Sequence, residues 1–202
     1  MTIDAATATD QAALEVVLNR RSPAKFREER PPRELIERLL EAAIRAPNHY
    51  LNEPWRFFVL TGAARERLGE VFAERMRRTM PDTPVPSAVA ALDRERKKTL
   101  RAPVVIAVAA VRTENARALP IEDIEATAAA VENILLAAPA LGLGAYWRTG
   151  DAAYDDETKA FFGLRPEDHI ASFVYVGYPE VWGPLTPRTG LQDKVSWQGW
   201  DD

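Results

Sequence analysis

The chain contains no cysteine. Disulfides, a thiolate nucleophile and a sulfur-ligated metal are therefore excluded. Histidine is almost as scarce, with His49 and His169 the only two. A zinc site would need carboxylates in unusual number, so no metal is expected. An excess of one charge is lacking too. The 26 basic and 30 acidic residues leave a formal net charge of −4 and a pI near 5.4. That balance offers no global attraction to nucleic acid or to an anionic membrane. The 10 glycines form neither G-x-x-x-x-G-K-[ST] nor G-x-S-x-G, which removes the phosphate loop and the nucleophile elbow. The opening MTIDAATATDQ has neither the basic start nor the apolar core of a signal peptide. Its small and polar residues are expected to form a flexible arm over 1–10, with one domain over 11–202, and the expected compartment is the cytoplasm.

Hydrophobic periodicity supplies most of the architecture. A short helix is expected over Ala12 to Asn19, with Leu14, Val17 and Leu18 on one side. PPRELIERLLEAAIRAP reads as a helix opened by prolines 31 and 32 and closed by Pro47. WRFFVL (55–60) reads as a buried strand, and residues 63–78 as a helix with Leu68, Val71, Phe72 and Met76 along its seam. MPDTPVPS (80–87) breaks regularity, and the basic DRERKKTLR after it is expected to be mobile. Residues from about Thr79 to Lys98 are accordingly expected to act as an irregular lid. APVVIAVAAV (102–111) is apolar on both faces, as a covered central strand must be.

The stretch from Ile121 to Leu141 predicts one long helix. Between Ala126 and Leu141 its only charge is Glu132, so it must be buried on nearly every side. Glu132, Asn133 and Pro139 interrupt it too often for a membrane span, and Pro139 is expected to kink its last turns. Its cover is either the core of its own domain or, in addition, a second subunit. AYWRT (145–149) and HIASFVYVGYP (169–179) predict two more strands, with a helix in DDETKAFFG between them. Interleaved strands and helices define an α/β or α+β domain. The tail from Pro184 has no strong period and is expected to run over the surface.

Two short motifs bear on chemistry. Gly142 and Gly144 form G-x-G, but Trp147 stands where a dinucleotide fingerprint needs its third glycine. These glycines also follow a helix, where the fingerprint requires a strand, and they read as a helix-terminal turn. RRSPAKF is more informative. Arg20, Arg21 and Ser22 offer two planar cations and a hydroxyl able to hold a phosphate. The alternative is a helix end whose cations complement the dipole. Arg148 and Arg188 lie in polar, turn-prone settings and are either surface residues or further phosphate ligands.

Taken in order, RRSPAKF, APNHYLNEPWRFFVL, TAAAVENILLAAPALGLGAYWRTG and PRTGLQDKVSW resemble the successive landmarks of the FMN-dependent nitroreductase family over nearly the whole chain. The nearest resemblance is to its small, minimal members with histidine in the loop. The resemblance implies an α+β, three-layer fold with a mostly antiparallel sheet, and a long central helix at a homodimer interface. It implies noncovalent FMN, with Arg20, Arg21, Ser22 and Arg188 on its phosphate and ribityl chain. Trp147, Arg148 and Thr149 would line the flavin, partly through backbone groups. His49 and Glu53 would approach it from the partner subunit. The chain departs from the pattern at Ala24, where many members carry a basic residue reaching the pyrimidine edge of the ring; Lys25 follows directly.

The implied activity is transfer of hydride from NAD(P)H through flavin to nitroaromatics, quinones or a related small electrophile by a ping-pong route. No triad, dyad or metal cluster accompanies it, because the flavin carries the chemistry and no side chain need be a catalytic base. The competing readings are another flavin reaction on a specific metabolite, or a flavin-binding sensor without turnover. A basic interaction segment over Arg94 to Arg101 is disfavoured by the intermixed Glu95 and neighbouring Asp93, which read as a solvated helix face.

Overall fold

In the computed structural model, residues 8–81 and 85–200 are described. Six helices and four strands carry the fold among them: α1 (Ala8–Leu18), α2 (Arg33–Ala43), β1 (Trp55–Leu60), α3 (Ala63–Arg78), α4 (Pro86–Arg96), β2 (Val104–Ala110), α5 (Pro120–Ala140), β3 (Gly144–Arg148), α6 (Asp156–Phe161) and β4 (His169–Gly177). The strands form one sheet in the order β1-β2-β4-β3, every neighbouring pair antiparallel. All of β2 is buried, as its apolar sequence requires of a central strand. Alternation along β2 then separates two cores. Val104, Ile106 and Val108 face α2 and α5 with Leu39, Ile134 and Val131. Val105, Ala107 and Ala109 face α3 and α6 with Leu68, Phe72 and Phe173. Helix, sheet and helix thus make three layers, and the α+β class read from the sequence holds.

Local differences have identifiable causes. α1 starts at Ala8, earlier than its expected start at Ala12, and the rest of the expected N-terminal arm, residues 1–7, lies outside the described residues. Of the expected irregular lid over Thr79 to Lys98, residues 82–84 lie outside the described residues, and the part after them is helical: α4 begins with Pro86 at its first turn and continues into a short 3-10 helix, Lys97–Leu100. This segment packs on α3 through Gly69. A methyl group there would come within 2.2 Å of the Arg96 carbonyl oxygen, so the small residue permits the close approach. The buried Thr99 hydroxyl donates to the Arg65 carbonyl at 2.8 Å, and Glu95 is buried and paired with Lys98. The charge-rich sequence concealed this docking because its few inward residues are polar.

α5 is also less enclosed than its composition predicts. Ala126, Ala130, Val131, Ile134 and Ala138 are buried, whereas the stripe Ala128, Glu132 and Leu136 is half-exposed. Pro139 lies in the final turn, and the helix ends one residue later. No helix among the described residues is long and apolar enough to cross a membrane.

Candidate active site

Arg20, Arg21 and Ser22 follow α1 in irregular backbone, against the start of β3. A methyl on Gly144 would meet Pro23 at 2.4 Å, so glycine brings this segment onto the strand. Arg20 donates to Ser22 Oγ at 3.2 Å and faces Glu132 of α5 at 3.5 Å. Arg21 is half-buried. It donates to the Gly183 carbonyl at 3.0 Å, and its guanidinium lies 5.6 Å from the Trp182 ring centre. Among the described residues neither Arg21 nor Arg188 has a carboxylate partner. A half-buried guanidinium with only neutral partners fits an anion from outside the chain. The Arg21 bond to Gly183 also places the beginning of the Arg188-bearing tail beside the triplet. The donor set therefore fits a phosphate such as that of FMN.

β3 divides the flavin-lining candidates between two faces. Trp147 packs with the α2 and α5 core and donates from Nε1 to the Ala171 carbonyl at 3.2 Å. Arg148 lies 4.3 Å from the Tyr146 ring centre, and Tyr146 belongs to the opposite core. The Arg148 side chain is thus on the face away from α5, leaving its backbone as the part nearest that helix. Thr149 is exposed just past the strand. Ala24 and Lys25 are exposed, and the Lys25 carbonyl accepts from Glu180 N–H at 3.2 Å.

His49 and Glu53 lie elsewhere. His49 Nδ1 is 3.0 Å from Glu122 Oε2, at the start of α5. Arg20 meets the same helix at Glu132, ten residues on, or about 15 Å by helical rise. One chain therefore does not bring the phosphate triplet and the histidine loop together. The loop itself is built tightly. Tyr50, Leu51 and Glu53 all adopt left-handed φ values, of 55°, 54° and 45°. Asn48 Oδ1 accepts from Glu53 N–H at 2.9 Å, and Asn52 donates to Asp123 at 3.4 Å. Arg112 donates to the other Asp123 oxygen at 3.3 Å, so the loop is tied to the ends of β2 and α5. The loop borders an open cleft of about 650 Å³ lined by Glu53, Arg56, Arg112 and Arg165 together with Phe58 and Phe162. Arg20 and Arg21 do not line that cleft.

The sequence reading missed the residues that hold this end of the molecule. Asp168 is buried and accepts from the backbone N–H groups of Arg112 and Arg165, at 2.8 and 2.9 Å, and from the Arg165 guanidinium at 2.9 Å. Burial pushes its carboxyl up, but these bonds outweigh burial and hold it below the ordinary aspartate range. A depressed folded-state value stabilises fully above the unfolded value of about 3.9 and loses that contribution as pH falls through the folded value. Asp168→Asn is expected to cost about 2–3 kcal/mol at pH 7, the scale of charge-assisted bonds. In urea titrations the gap between variant and wild type should narrow below about pH 4. A gap of the same size across the whole acid range would refute this role. Glu122 had a local signal: Pro120 at the first helical position and Glu122 at the third form a helix-start pattern. Asp123 had none, since Asn52 comes from far along the chain, and Asp168 is joined not only to its neighbour Arg165 but to the distant Arg112.

The fold has counterparts among known proteins. The "Nitroreductase family" profile matches residues 17–178, and the chain belongs to that family. It is 34% identical over 169 residues to "Putative NAD(P)H nitroreductase YdjA" of Escherichia coli (strain K12), covering 84% of this chain and 89% of that one. A Bacillus cereus nitroreductase-like family protein superposes with a TM-score of 0.78 at 24% identity, over 98% of this chain and 100% of that one. A Desulfovibrio desulfuricans structure described as a putative nitroreductase in complex with FMN gives 0.72 at 25% identity, covering 94% and 98%.

Proposed function

We propose that the chain is an FMN-dependent oxidoreductase that passes hydride from NAD(P)H to a nitroaromatic, a quinone or a related small electrophile. The observation that carries this reading is the half-buried Arg21, held by a carbonyl and a tryptophan ring and open to an external anion. Arg20 and Ser22 extend the same donor set, and Arg188 joins it from the tail. Bound flavin supplies the acceptance and release of hydride. The protein's part is to hold the phosphate, present Trp147 and Arg148 on β3 and Thr149 just past it, and leave one side accessible.

The same proposal includes a homodimer with two shared sites. The half-exposed stripe of α5, the exposed Leu14, Val17 and Leu18 of α1, and the paired rings of Trp197 and Trp200 leave apolar surface uncovered in one chain. A second subunit supplies the cover and brings its own His49 loop to the first chain's triplet. A cytoplasmic location, where NAD(P)H is available, completes the reading.

The purified protein should be yellow and bleach on addition of NAD(P)H under argon. Double-reciprocal plots at several donor concentrations should be parallel, because donor and acceptor use one open face in turn. A yellow protein that does not bleach would identify a sensor, and intersecting lines would require separate pockets.

A further inference from the structure

The His49–Glu122 pair has a geometry that exceeds a surface ion pair. We propose that Glu122 is a positioning residue for His49, holding its imidazole in the tautomer protonated at Nδ1 and leaving Nε2 as the nitrogen that meets a ligand. This rests on the reading that the loop forms one wall of a shared site. Glu122 Oε2 pairs with Nδ1 at 3.0 Å and accepts from the Leu119 N–H at 3.2 Å. The second bond closes the start of α5 and keeps the carboxylate from swinging away. On its other side the imidazole stacks on Tyr50, with ring centres 3.9 Å apart and planes 15° from parallel. Ring position is thus set by a carboxylate at Nδ1 and a ring against its face.

The surrounding backbone supports a functional reason for this arrangement. Left-handed φ values at three non-glycine residues are strained and persist only where neighbours enforce them. Asn48, Asn52 and Asp123 enforce them here. The His49 side chain remains 52% exposed, and Nε2 has no partner among the described residues. With Nδ1–H kept on Glu122, Nε2 accepts a hydrogen bond when the ring is neutral and donates one when it is charged. His49 can therefore hold or move one proton at Nε2 without releasing its support. The Glu122 carboxyl lies below the ordinary glutamate range, chiefly through the hydrogen bond from His49 and then that from Leu119.

The test uses the full-length protein labelled with 15N-histidine. With only two histidines, a His169→Gln variant assigns His49. At alkaline pH, long-range 1H–15N spectra should show His49 protonated at Nδ1. Glu122→Gln should retain that tautomer through its amide oxygen. Glu122→Ala should release the ring to the Nε2–H form that free histidine favours. Wild type already in the Nε2–H form, or no change in Glu122→Ala, would overturn the proposal. Circular dichroism establishes that each variant is folded. In turnover, Glu122→Ala should lower kcat roughly a hundredfold, the low end for a positioned acid–base group. The double variant with His49→Ala should be no worse than His49→Ala alone. Additive losses would show that Glu122 acts by another route and would also overturn it. FMN binding is measured separately, so a chain that fails to bind FMN defeats the functional reading while the tautomer result still stands.

Discussion

Replacing Arg20 and Arg21 together by alanine is expected to abolish FMN retention. If each arginine makes one charge-assisted bond to the phosphate, at about 1.5–3 kcal/mol apiece, affinity falls by roughly a hundredfold to ten-thousandfold. Arg21 should account for the larger part. Its partners are a carbonyl and an aromatic face, so among the described residues no carboxylate offsets its charge, whereas Arg20 already faces Glu132. Arg21→Lys keeps the charge but loses the planar fork and its stacking on Trp182, and should fall between wild type and Arg21→Ala. Quenching of flavin fluorescence during titration measures each affinity, and thermal unfolding of the apoprotein separates binding loss from damage to the fold. Unchanged affinity in the double variant would remove the phosphate assignment.

The second large effect concerns site sharing. Arg21→Glu alone and His49→Ala/Glu53→Ala alone should each give an inactive homodimer. Unfolding and refolding the two together should restore activity. A two-fold dimer has two equivalent sites, and in a mixed dimer one site collects all the defects while the other has none. Random pairing makes about half of the dimers mixed, so roughly a quarter of all sites should recover. The expectation follows from α5, along which Arg20 and His49 are held at positions ten residues apart in one chain. If mixed dimers form and activity stays absent, both motifs serve a site within one subunit.

Several parts of this molecule were legible from local pattern. β2 announced itself by unbroken apolar residues, and α3 by the spacing of Leu68 and Phe72. The Arg20-Arg21-Ser22 triplet was legible as a candidate anion site because its residue types are chemically specific and adjacent. α4 was not, since its anchoring uses Thr99, Glu95 and the absence of a side chain at Gly69. Periodicity registers apolar stripes and is blind to polar burial. The left-handed run at Tyr50, Leu51 and Glu53 was equally hidden. Non-glycine residues give no local sign of such backbone, and side chains from Asn48 and distant Asp123 impose it.

By itself, the sequence determined the interleaving of strands and helices, the absence of thiol chemistry, and the residue types of the Arg20-Arg21-Ser22 triplet. Each of these depends on composition or on neighbours a few residues apart. Only the tertiary structure decided where those groups stand relative to one another. It put Arg148 across the sheet from α5, left a stripe of that helix uncovered, and joined His49 to Glu122 ten residues along α5 from the contact with Arg20. Those outcomes depend on strand alternation, helix rise and contacts between residues as far apart in the chain as 49 and 122. Residue types alone do not encode such distances, because they arise only when the whole core has packed.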